Sequence, residues 1–365
     1  MFEVKDIKET ALIENPIIER MLKYNHEQLL FCNDSATGLK AIIAVHNTTL
    51  GPALGGTRMW AYNNELEALN DVLRLSRGMT YKNAISGLNL GGGKAVIIGN
   101  ARTDKSEALM RRFGKFVNSL GGKYITAEDV GISTSDMSWV NMETNHVVGL
   151  PGKSGDPSPV TAYGVYMGMK AAAKLQFGSD SLTGKKVAVQ GVGHVGEYLV
   201  KYLAKEGAQV FISDIHEEML TRVAAEYGAK VVGINDIYSI DMDIYAPCAL
   251  GATVNDETLA QLKCSIIAGA ANNQLKDEQI HGQIVRDKGI MYVPDFMINA
   301  GGVINCYAEV KSFTAQWAMT KAEEIYNRTL SIITRSKESN VPTYKIANTM
   351  AEERIAAIGN IKLPM

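Results

Sequence analysis

One segment, Val187-Ala188-Val189-Gln190-Gly191-Val192-Gly193-His194-Val195-Gly196, indicates how this chain folds. An apolar strand runs directly into glycines spaced GxGxxG, and a helical pattern follows over 195–205. Asp214 ends the next apolar strand, roughly 20 residues beyond the first glycine. A strand before the glycines, a helix after them and an acid on the following strand together predict a dinucleotide-binding βαβ unit.

Each glycine of this segment has a separate role in such a unit. Gly191 makes the tight turn, Gly193 lets the backbone approach a pyrophosphate, and Gly196 lets helix and strand pack closely. Free N–H groups at the helix N-terminus bind phosphate. Asp214 would accept hydrogen bonds from the ribose hydroxyls and repel a 2′-phosphate, which favours NAD over NADP. The alternative is a glycine-rich turn without a nucleotide, and His194 is explained more readily as a helix-start residue than as a ligand-binding one.

The pattern on either side of this segment predicts an α/β fold with two domains. From 160 to 293, apolar strands alternate with helical patterns, as in a doubly wound parallel sheet. Before it, strands are predicted at 39–45, 95–98 and 123–126, with a helix capped by Asn63-Asn64. The stretch 151–159 is rich in Pro, Gly, Ser and Asp, which predicts a linker. The chain then ends in helices from about Thr314 onward.

Length and composition exclude several classes of protein. The chain has 365 residues, enough for two domains, and its 37 basic and 39 acidic residues give a net charge of −2. This balance argues against a nucleic-acid-binding or polybasic membrane-binding protein. No apolar run approaches the roughly 18 residues of a membrane span, and the N-terminus has acids where a signal peptide is basic. Four cysteines without a CxxC pair and six histidines without metal spacing predict no disulfide framework, no metal and a cytoplasmic location.

Two lysines stand in contexts that suit an anion site and a catalytic amine. Lys82 follows Tyr81, and Lys94 follows three glycines, Gly91-Gly92-Gly93, which would let something small approach the backbone of a loop. A partly desolvated lysine beside another cation has a lowered pKa and can act as a base near neutral pH. The spacing alone fits two surface lysines and a flexible loop equally well. It is not a phosphate-binding P-loop, because the GxxxxGK[ST] spacing is missing.

Three further segments follow predicted strands and carry polar side chains. In Ala127-Glu128-Asp129-Val130-Gly131 an acid could shuttle protons or pair with a lysine, although it could equally cap a helix. In 270–274 and 299–302, asparagine and glutamine amides could hold a nicotinamide carboxamide or a substrate. As isolated motifs these two segments could equally be turns.

Taken together, these motifs resemble the Glu/Leu/Phe/Val amino-acid dehydrogenase family, and the branch acting on leucine most closely. The resemblance covers about 26–358, in order and at the family's spacing. The matching segments are Leu50-Gly51-Pro52-Ala53-Leu54-Gly55-Gly56-Thr57-Arg58-Met59-Trp60, Gly78-Met79-Thr80-Tyr81-Lys82-Asn83, Gly91-Gly92-Gly93-Lys94, Ala127-Glu128-Asp129-Val130-Gly131, 268–275 and 298–305.

The resemblance implies roles for individual residues. Lys94 and Asp129 match the catalytic base and the acid that works with it, and Lys82 matches the lysine that binds the substrate carboxylate. The implied remaining substrate-binding residues are Leu54, Gly55, Ala127, Val148, Asn299, Val303 and Cys306. The implied cofactor-binding residues are Thr161, Gly191, Gly193, His194, Val195, Gly196, Asp214, Ile215, Ala249 and Asn272.

The same resemblance implies an activity and an organisation. The expected reaction is the reversible NAD-dependent oxidative deamination of leucine, isoleucine or valine to the 2-oxo acid and ammonia. Residues 1–149 with about 340–365 would form a substrate-binding and oligomerisation domain, and 150–339 an NAD-binding domain, in a homo-oligomer that is often an octamer in this family. Val148, Met297 and Cys306 depart from the leucine pattern, so a phenylalanine or tryptophan dehydrogenase is the alternative within the family. A non-catalytic NAD-binding protein is the alternative from another class.

Overall fold

The computed structural model describes residues 17–150, 152–153 and 155–361. Pro151 and Ser154 of the predicted linker, and the predicted domain ends 1–16 and 362–365, lie outside the described residues. The described chain forms two sheets, one on each side of the linker, which confirms the α/β fold. The division into domains at residue 150 stays a prediction.

A five-stranded mixed sheet is built from the first half of the chain, in the order β1-β2-β4-β3-β5. Strands β1 and β2 are antiparallel, as are β2 and β4, whereas β3 runs parallel to both β4 and β5. Its strands are β1 (Gln28–Asp34), β2 (Leu39–Asn47), β3 (Ala53–Trp60), β4 (Gly91–Ile98) and β5 (Tyr124–Glu128). Its helices are α1 (Ile17–Tyr24), α2 (Glu65–Ile85), α3 (Glu107–Ser119) and α4 (Thr134–Asn141).

Helix α2 lies on this sheet and begins where the sequence predicts. The side chain of Asn64 accepts a hydrogen bond from the Glu67 amide at 2.9 Å, so the predicted cap is confirmed. The three glycines before Lys94 do not form a loop, and the flexible-loop alternative is wrong. They are the buried start of β4. The Thr80 backbone of α2 lies so close to this strand that a Cβ at Gly92 would be only 2.1 Å from the Thr80 nitrogen. Glycine is required there for α2 to contact the strand backbone.

The second half forms a six-stranded sheet in the order β11-β10-β9-β6-β7-β8, with every pair parallel. In chain order this is the doubly wound arrangement, with a topological switch point between β6 and β9. Its strands are β6 (Lys186–Gln190), β7 (Gln209–Ser213), β8 (Lys230–Val231), β9 (Ile244–Pro247), β10 (Ile266–Ile267) and β11 (Met291–Tyr292). The helices between them are α6 (His194–Glu206), α7 (Glu217–Tyr227), α8 (Asp256–Gln261) and α9 (Glu278–Asp287), with a 3-10 turn at Asp236–Tyr238.

Five helices connect and cover the two sheets: α5 (Ser158–Phe177), α10 (Asp295–Ile298), α11 (Gly301–Val310), α12 (Ala315–Ser339) and α13 (Thr343–Ile361). Thr314 caps α12, as expected for a helical segment that begins there. Helix α13 returns to the first half, where Arg354 donates to the carbonyl oxygen of Leu88 at 2.7 Å, just after α2. Arg328 of α12 donates to the carbonyl oxygen of Ile85 at 2.9 Å. The C-terminal helices therefore hold the end of the helix that carries Lys82.

No helix within the described residues combines the length and apolarity needed to cross a bilayer.

Candidate active site

A buried ion pair joins Lys94 of β4 to Asp129, the residue after β5. Lys94 Nζ lies 2.7 Å from Asp129 Oδ2, and Lys94 is only 6% exposed. Burial lowers the pKa of the Lys94 ammonium, and Asp129 opposes that effect only in part. Burial would raise the pKa of Asp129, but the charges of Lys94 and then Arg58 outweigh it and hold this pKa below its usual value. The pair is thus an ionised carboxylate beside an ammonium that gives up its proton easily.

Asp129 does not cap a helix, so that alternative reading of its segment is wrong. The next helix, α4, begins at Thr134, and Ser133 is its cap. Asp129 directly follows β5, as the sequence predicts. Lys94 lies inside β4 opposite Ala44, and not beside a loop as the sequence suggested.

Lys82 lies in the last turn of α2 and contacts the second half of the chain. Its Nζ donates to Asn299 Oδ1 at 2.7 Å. Burial lowers the pKa of Lys82 to about 8, although the nearby Asp295 carboxylate raises it in part. The described side chain closest to this ammonium is a neutral amide, so a carboxylate placed there would gain a charge-assisted hydrogen bond.

Asn299 and Asn272 come together, as their positions after neighbouring short strands suggest. Asn299 Nδ2 donates to Asn272 Oδ1 at 2.7 Å and to the carbonyl oxygen of Ala270 at 3.0 Å. Thr161 packs against Gly301, two residues after Asn299. The two backbones are so close that a Cβ at Gly301 would be 2.4 Å from the Thr161 Cα. The Thr161 hydroxyl donates to the carbonyl oxygen of Pro157 at 2.9 Å, which leaves its lone pairs as acceptors.

The residues predicted to line the side-chain pocket, called the apolar wall below, are uncharged and mostly buried. Four of the predicted pocket residues are buried in a single apolar cluster, namely Leu54, Ala127, Val148 and Val303. Cys306 packs against this cluster. Burial raises the pKa of the Cys306 thiol to about 12, so it stays neutral. Position 55 has to be glycine, because a Cβ there would be 1.8 Å from the Gly93 carbonyl oxygen. Met297 is fully buried, and its sulfur accepts a hydrogen bond from Thr329 on α12.

The glycines after β6 form a cradle at the topological switch point. Gly191 has φ +95°, and a Cβ there would lie 2.6 Å from the Ala249 Cβ, just after β9. A Cβ at Gly196 would be 2.0 Å from the Gly191 carbonyl oxygen, whereas a Cβ at Gly193 would meet nothing within 4 Å. Helix α6 begins at His194 without a side-chain cap. Its first N–H groups therefore face the open side at Gly193, and this fits a bound pyrophosphate.

Asp214, the residue after β7, closes one end of this cradle. Its Oδ2 accepts from the Val192 amide at 2.8 Å and its Oδ1 from the His216 amide at 3.0 Å. Each oxygen keeps a further lone pair for a ribose hydroxyl. Ile215 is 73% exposed beside it, and His194 is exposed while Val195 packs inward.

Sequence reasoning missed Arg58, which contacts Asp129, and also Asp71, which pairs with Arg58, and Tyr62, which donates to Asp71. Arg58 Nε lies 3.3 Å from Asp129 Oδ2. The only signal in the sequence is an arginine inside the segment 50–60, and nothing there shows its partners. Among the described residues, no group of three or more His, Cys, Asp or Glu side chains is arranged to hold a metal ion.

Comparison with known proteins identifies the family of both halves. The family model described as "Glu/Leu/Phe/Val dehydrogenase, dimerisation domain" matches 26–146. The model described as "Glutamate/Leucine/Phenylalanine/Valine dehydrogenase" matches 152–362.

Similar proteins align along almost their whole length. The leucine dehydrogenase of Geobacillus stearothermophilus is 56% identical over 351 residues, 95% of each chain. The phenylalanine dehydrogenase of Lysinibacillus sphaericus is 45% identical, covering 96% of this chain and 94% of its own. The crystal structure of L-tryptophan dehydrogenase from Nostoc punctiforme superimposes with a TM-score of 0.86 at 46% identity, covering 94% of this chain and 99% of that one. The chain therefore belongs to the glutamate/leucine/phenylalanine/valine dehydrogenase family, enzymes that oxidise amino acids with a nicotinamide dinucleotide.

Proposed function

We propose that this chain catalyses the reversible NAD-dependent oxidative deamination of leucine, isoleucine and valine to their 2-oxo acids and ammonia. The observation that carries this proposal is the buried Lys94–Asp129 pair, and the uncharged residues of the apolar wall support it. Lys82, the ammonium bound to Asn299, would hold the substrate carboxylate.

In this scheme, the side chains bind the substrate and move protons. NAD, when held by the glycines after β6, would supply the acceptor for the hydride of the substrate Cα. The substrate ammonium loses one proton to solvent as the hydride leaves, so the substrate becomes an iminium with a carbon–nitrogen double bond. Lys94 removes a proton from water as the water oxygen bonds to Cα, and Asp129 stabilises the ammonium so formed. Lys94 then returns its proton to the amino nitrogen, the carbon–nitrogen bond breaks and the nitrogen leaves as ammonia. The Cα hydroxyl gives its proton to the neutral Lys94 amine as its oxygen becomes the carbonyl oxygen of the 2-oxo acid.

The apolar wall supports the choice of substrate. Leu54 is 2% exposed, and a glutamate side chain directed at it would bury an unpaired carboxylate. A missing or extra methylene changes binding by only about 1–3 kcal/mol, so all three branched-chain amino acids should be oxidised. Val148 and Cys306 favour the second candidate, a preference for phenylalanine or tryptophan, because a cysteine is slightly smaller than a valine.

The cofactor and assembly are parts of the same proposal. Asp214 supports NAD over NADP, since a 2′-phosphate near its carboxylate would be repelled. The match of 26–146 to a model named for dimerisation supports a homo-oligomer, an octamer by family resemblance. The enzyme is proposed to act in the cytoplasm.

The test is the initial rate of NADH formation with leucine, isoleucine, valine, phenylalanine, tryptophan and glutamate. We expect the highest kcat/KM with a branched-chain substrate and no measurable rate with glutamate. A preference of more than about tenfold, or 1.4 kcal/mol, for an aromatic substrate would select the second candidate. No oxidation of any of them would reject both.

A further inference from the structure

A chain of ion pairs continues from the Lys94–Asp129 pair into the first sheet. Strand β3 lies between β4 and β5, and its Arg58 lies within ion-pairing distance of two carboxylates. Arg58 Nε is 3.3 Å from Asp129 Oδ2, and Arg58 Nη1 is 2.9 Å from Asp71 Oδ2 on α2. The guanidinium therefore bridges the proposed catalytic carboxylate and a second carboxylate behind it.

Asp71 is itself held by two other groups. The Tyr62 hydroxyl donates to Asp71 Oδ2 at 2.8 Å, and Arg74 Nη2 donates to Asp71 Oδ1 at 2.9 Å. The side chain of Asp71 is 15% exposed and that of Arg58 is 23% exposed, whereas that of Arg74 is 57% exposed. Asp71 is thus a fixed, mostly buried anchor for Arg58, and Arg74 is its outer partner.

Arg58 and Lys94 share one oxygen atom. Asp129 Oδ2 lies within ion-pairing distance of both cations, so its negative charge is divided between them. With Arg58 present, Asp129 stabilises the Lys94 ammonium less than it would alone, and the pKa of Lys94 is lower as a result. Asp71 acts in the opposite direction, because its charge offsets that of Arg58.

We propose that Arg58 is a positioning residue that fixes the Asp129 carboxylate and keeps a larger fraction of Lys94 in its neutral, proton-accepting form near neutral pH, with Asp71 holding Arg58 in place. This inference rests on the proposed function, since it assigns Lys94 the role of the base. Arg58 itself touches neither Lys94 nor a reacting atom.

Other ionisable groups face the pair and stay unchanged in the test. The charge of Lys82 on α2 interacts with those of both Lys94 and Asp129. The pKa of about 8 belongs to the Lys82 ammonium and not to the Lys94 ammonium. Glu128 and Tyr124 on β5 lie near Asp129, and so does Tyr62. Lys82, Glu128 and Tyr124 keep their own contacts in every variant below, whereas Tyr62 loses its charged acceptor in Asp71→Asn.

The experiment compares the pH dependence of kcat/KM for leucine in the wild type and in Arg58→Met. The acid limb reports the loss of a proton from the base in the free enzyme. We expect its apparent pKa to rise by roughly half to one unit in Arg58→Met, since a neighbouring cation is lost. The rate should approach the wild-type value at high pH, and Arg58→Lys should restore part of the shift.

Two further variants separate this effect from general damage. Arg74→Met removes a cation from the same Asp71 carboxylate without contact to Asp129, and should leave the acid limb where it is. Asp71→Asn keeps an amide oxygen that can accept the hydrogen bond from Arg58, so Arg58 stays in place while the opposing charge is lost. Its acid limb should therefore move to lower pH, and this can be measured even if Arg58→Met fails to fold.

An acid limb that is unchanged in Arg58→Met, or that moves equally in Arg74→Met, overturns the inference. So does a shift of Asp71→Asn in the same direction as Arg58→Met. The wild-type profile tests the proposed function on its own, because an enzyme inactive with all amino acids would fail before any variant is compared.

Discussion

Lys82 Nζ donates a 2.7 Å hydrogen bond to Asn299 Oδ1, and this contact joins the end of α2 to the loop after α10. One residue belongs to the first half of the chain and the other to the second. A substrate carboxylate that binds Lys82 therefore meets an ammonium already held at the boundary between the two sheets.

The affinity for the amino acid should fall above about pH 8. The pKa of Lys82 is lowered to about 8 by burial, so raising the pH removes the proton that a carboxylate needs. We expect KM for leucine to rise from pH 8 to pH 10 in the wild type. In Lys82→Ala, KM should be about 10- to 100-fold higher at pH 7 and should not rise further, since a hydrogen bond to a charged group contributes about 1.5–3 kcal/mol. A wild-type KM that stays constant over this range would contradict the role of Lys82.

Replacing Lys94 by alanine should abolish turnover without preventing dinucleotide binding. Loss of a general base reduces the rate by about 10²–10⁴-fold. The matched control is Lys105→Ala, which breaks a 2.6 Å ion pair with Asp136 elsewhere in the first half of the chain. The control should keep its activity, and both variants should bind NADH with the wild-type affinity by fluorescence titration. A Lys94→Ala enzyme within about tenfold of the wild-type rate would remove Lys94 from the mechanism.

Asp214 should exclude NADP. We expect Asp214→Ala to raise kcat/KM with NADP relative to NAD, because the carboxylate that repels the 2′-phosphate is gone. The affinity for NAD should fall as well, since Asp214 also accepts the Val192 amide. Asp241→Ala, an exposed carboxylate paired with Lys186, is the control and should change neither value. Equal wild-type efficiency with the two dinucleotides would disprove this assignment.

A lysine at position 54 should change the charge that the pocket accepts. Leu54→Lys places an ammonium in the apolar wall, so glutamate should be oxidised weakly and leucine activity should drop. Leu54→Met conserves volume without charge, and should retain leucine activity without any glutamate activity. Rates are measured at a temperature where circular dichroism shows both variants folded. Glutamate oxidation by Leu54→Met would show that charge is not the cause.

Two buried histidines should make the protein less stable in acid. The His26 and His46 rings lie edge to face with centroids 4.7 Å apart, and burial lowers the pKa of each to about 4. The unfolded chain binds these protons first, so stability decreases as the pH falls from about 6.5 to 4, by up to about 1.4 kcal/mol per unit for each histidine.

The measurement is Tm between pH 7 and pH 4.5 without cofactor. His46→Gln should show a weaker decrease than the wild type, whereas His216→Gln, which changes an exposed residue, should follow it. A wild-type Tm that does not decrease over this range would contradict the prediction.

The sequence predicts the second half of the fold better than the first. Strand β6, helix α6 and strand β7 each carry a local signal: apolar runs, the glycine spacing and the acid at 214. Strand β3 contains Gly55-Gly56, a pair that is atypical of strands. Glycine is needed at position 55 because the Gly93 carbonyl oxygen of the neighbouring strand β4 leaves no room for a Cβ. The bridge from Asp129 through Arg58 to Asp71 depends on which strands are neighbours, and no local pattern contains that information.

The contact between Gly92 and the Thr80 backbone has an evolutionary consequence. It sets the spacing between α2, which carries Lys82, and β4, which carries Lys94, through main-chain atoms, while the predicted apolar wall consists of side chains at other positions. Substitutions in that wall can therefore alter which amino acid fits without moving the groups that perform the chemistry. One scaffold can thus diversify its substrate range by a few point mutations, while nearly every change at the glycines themselves would be eliminated by selection.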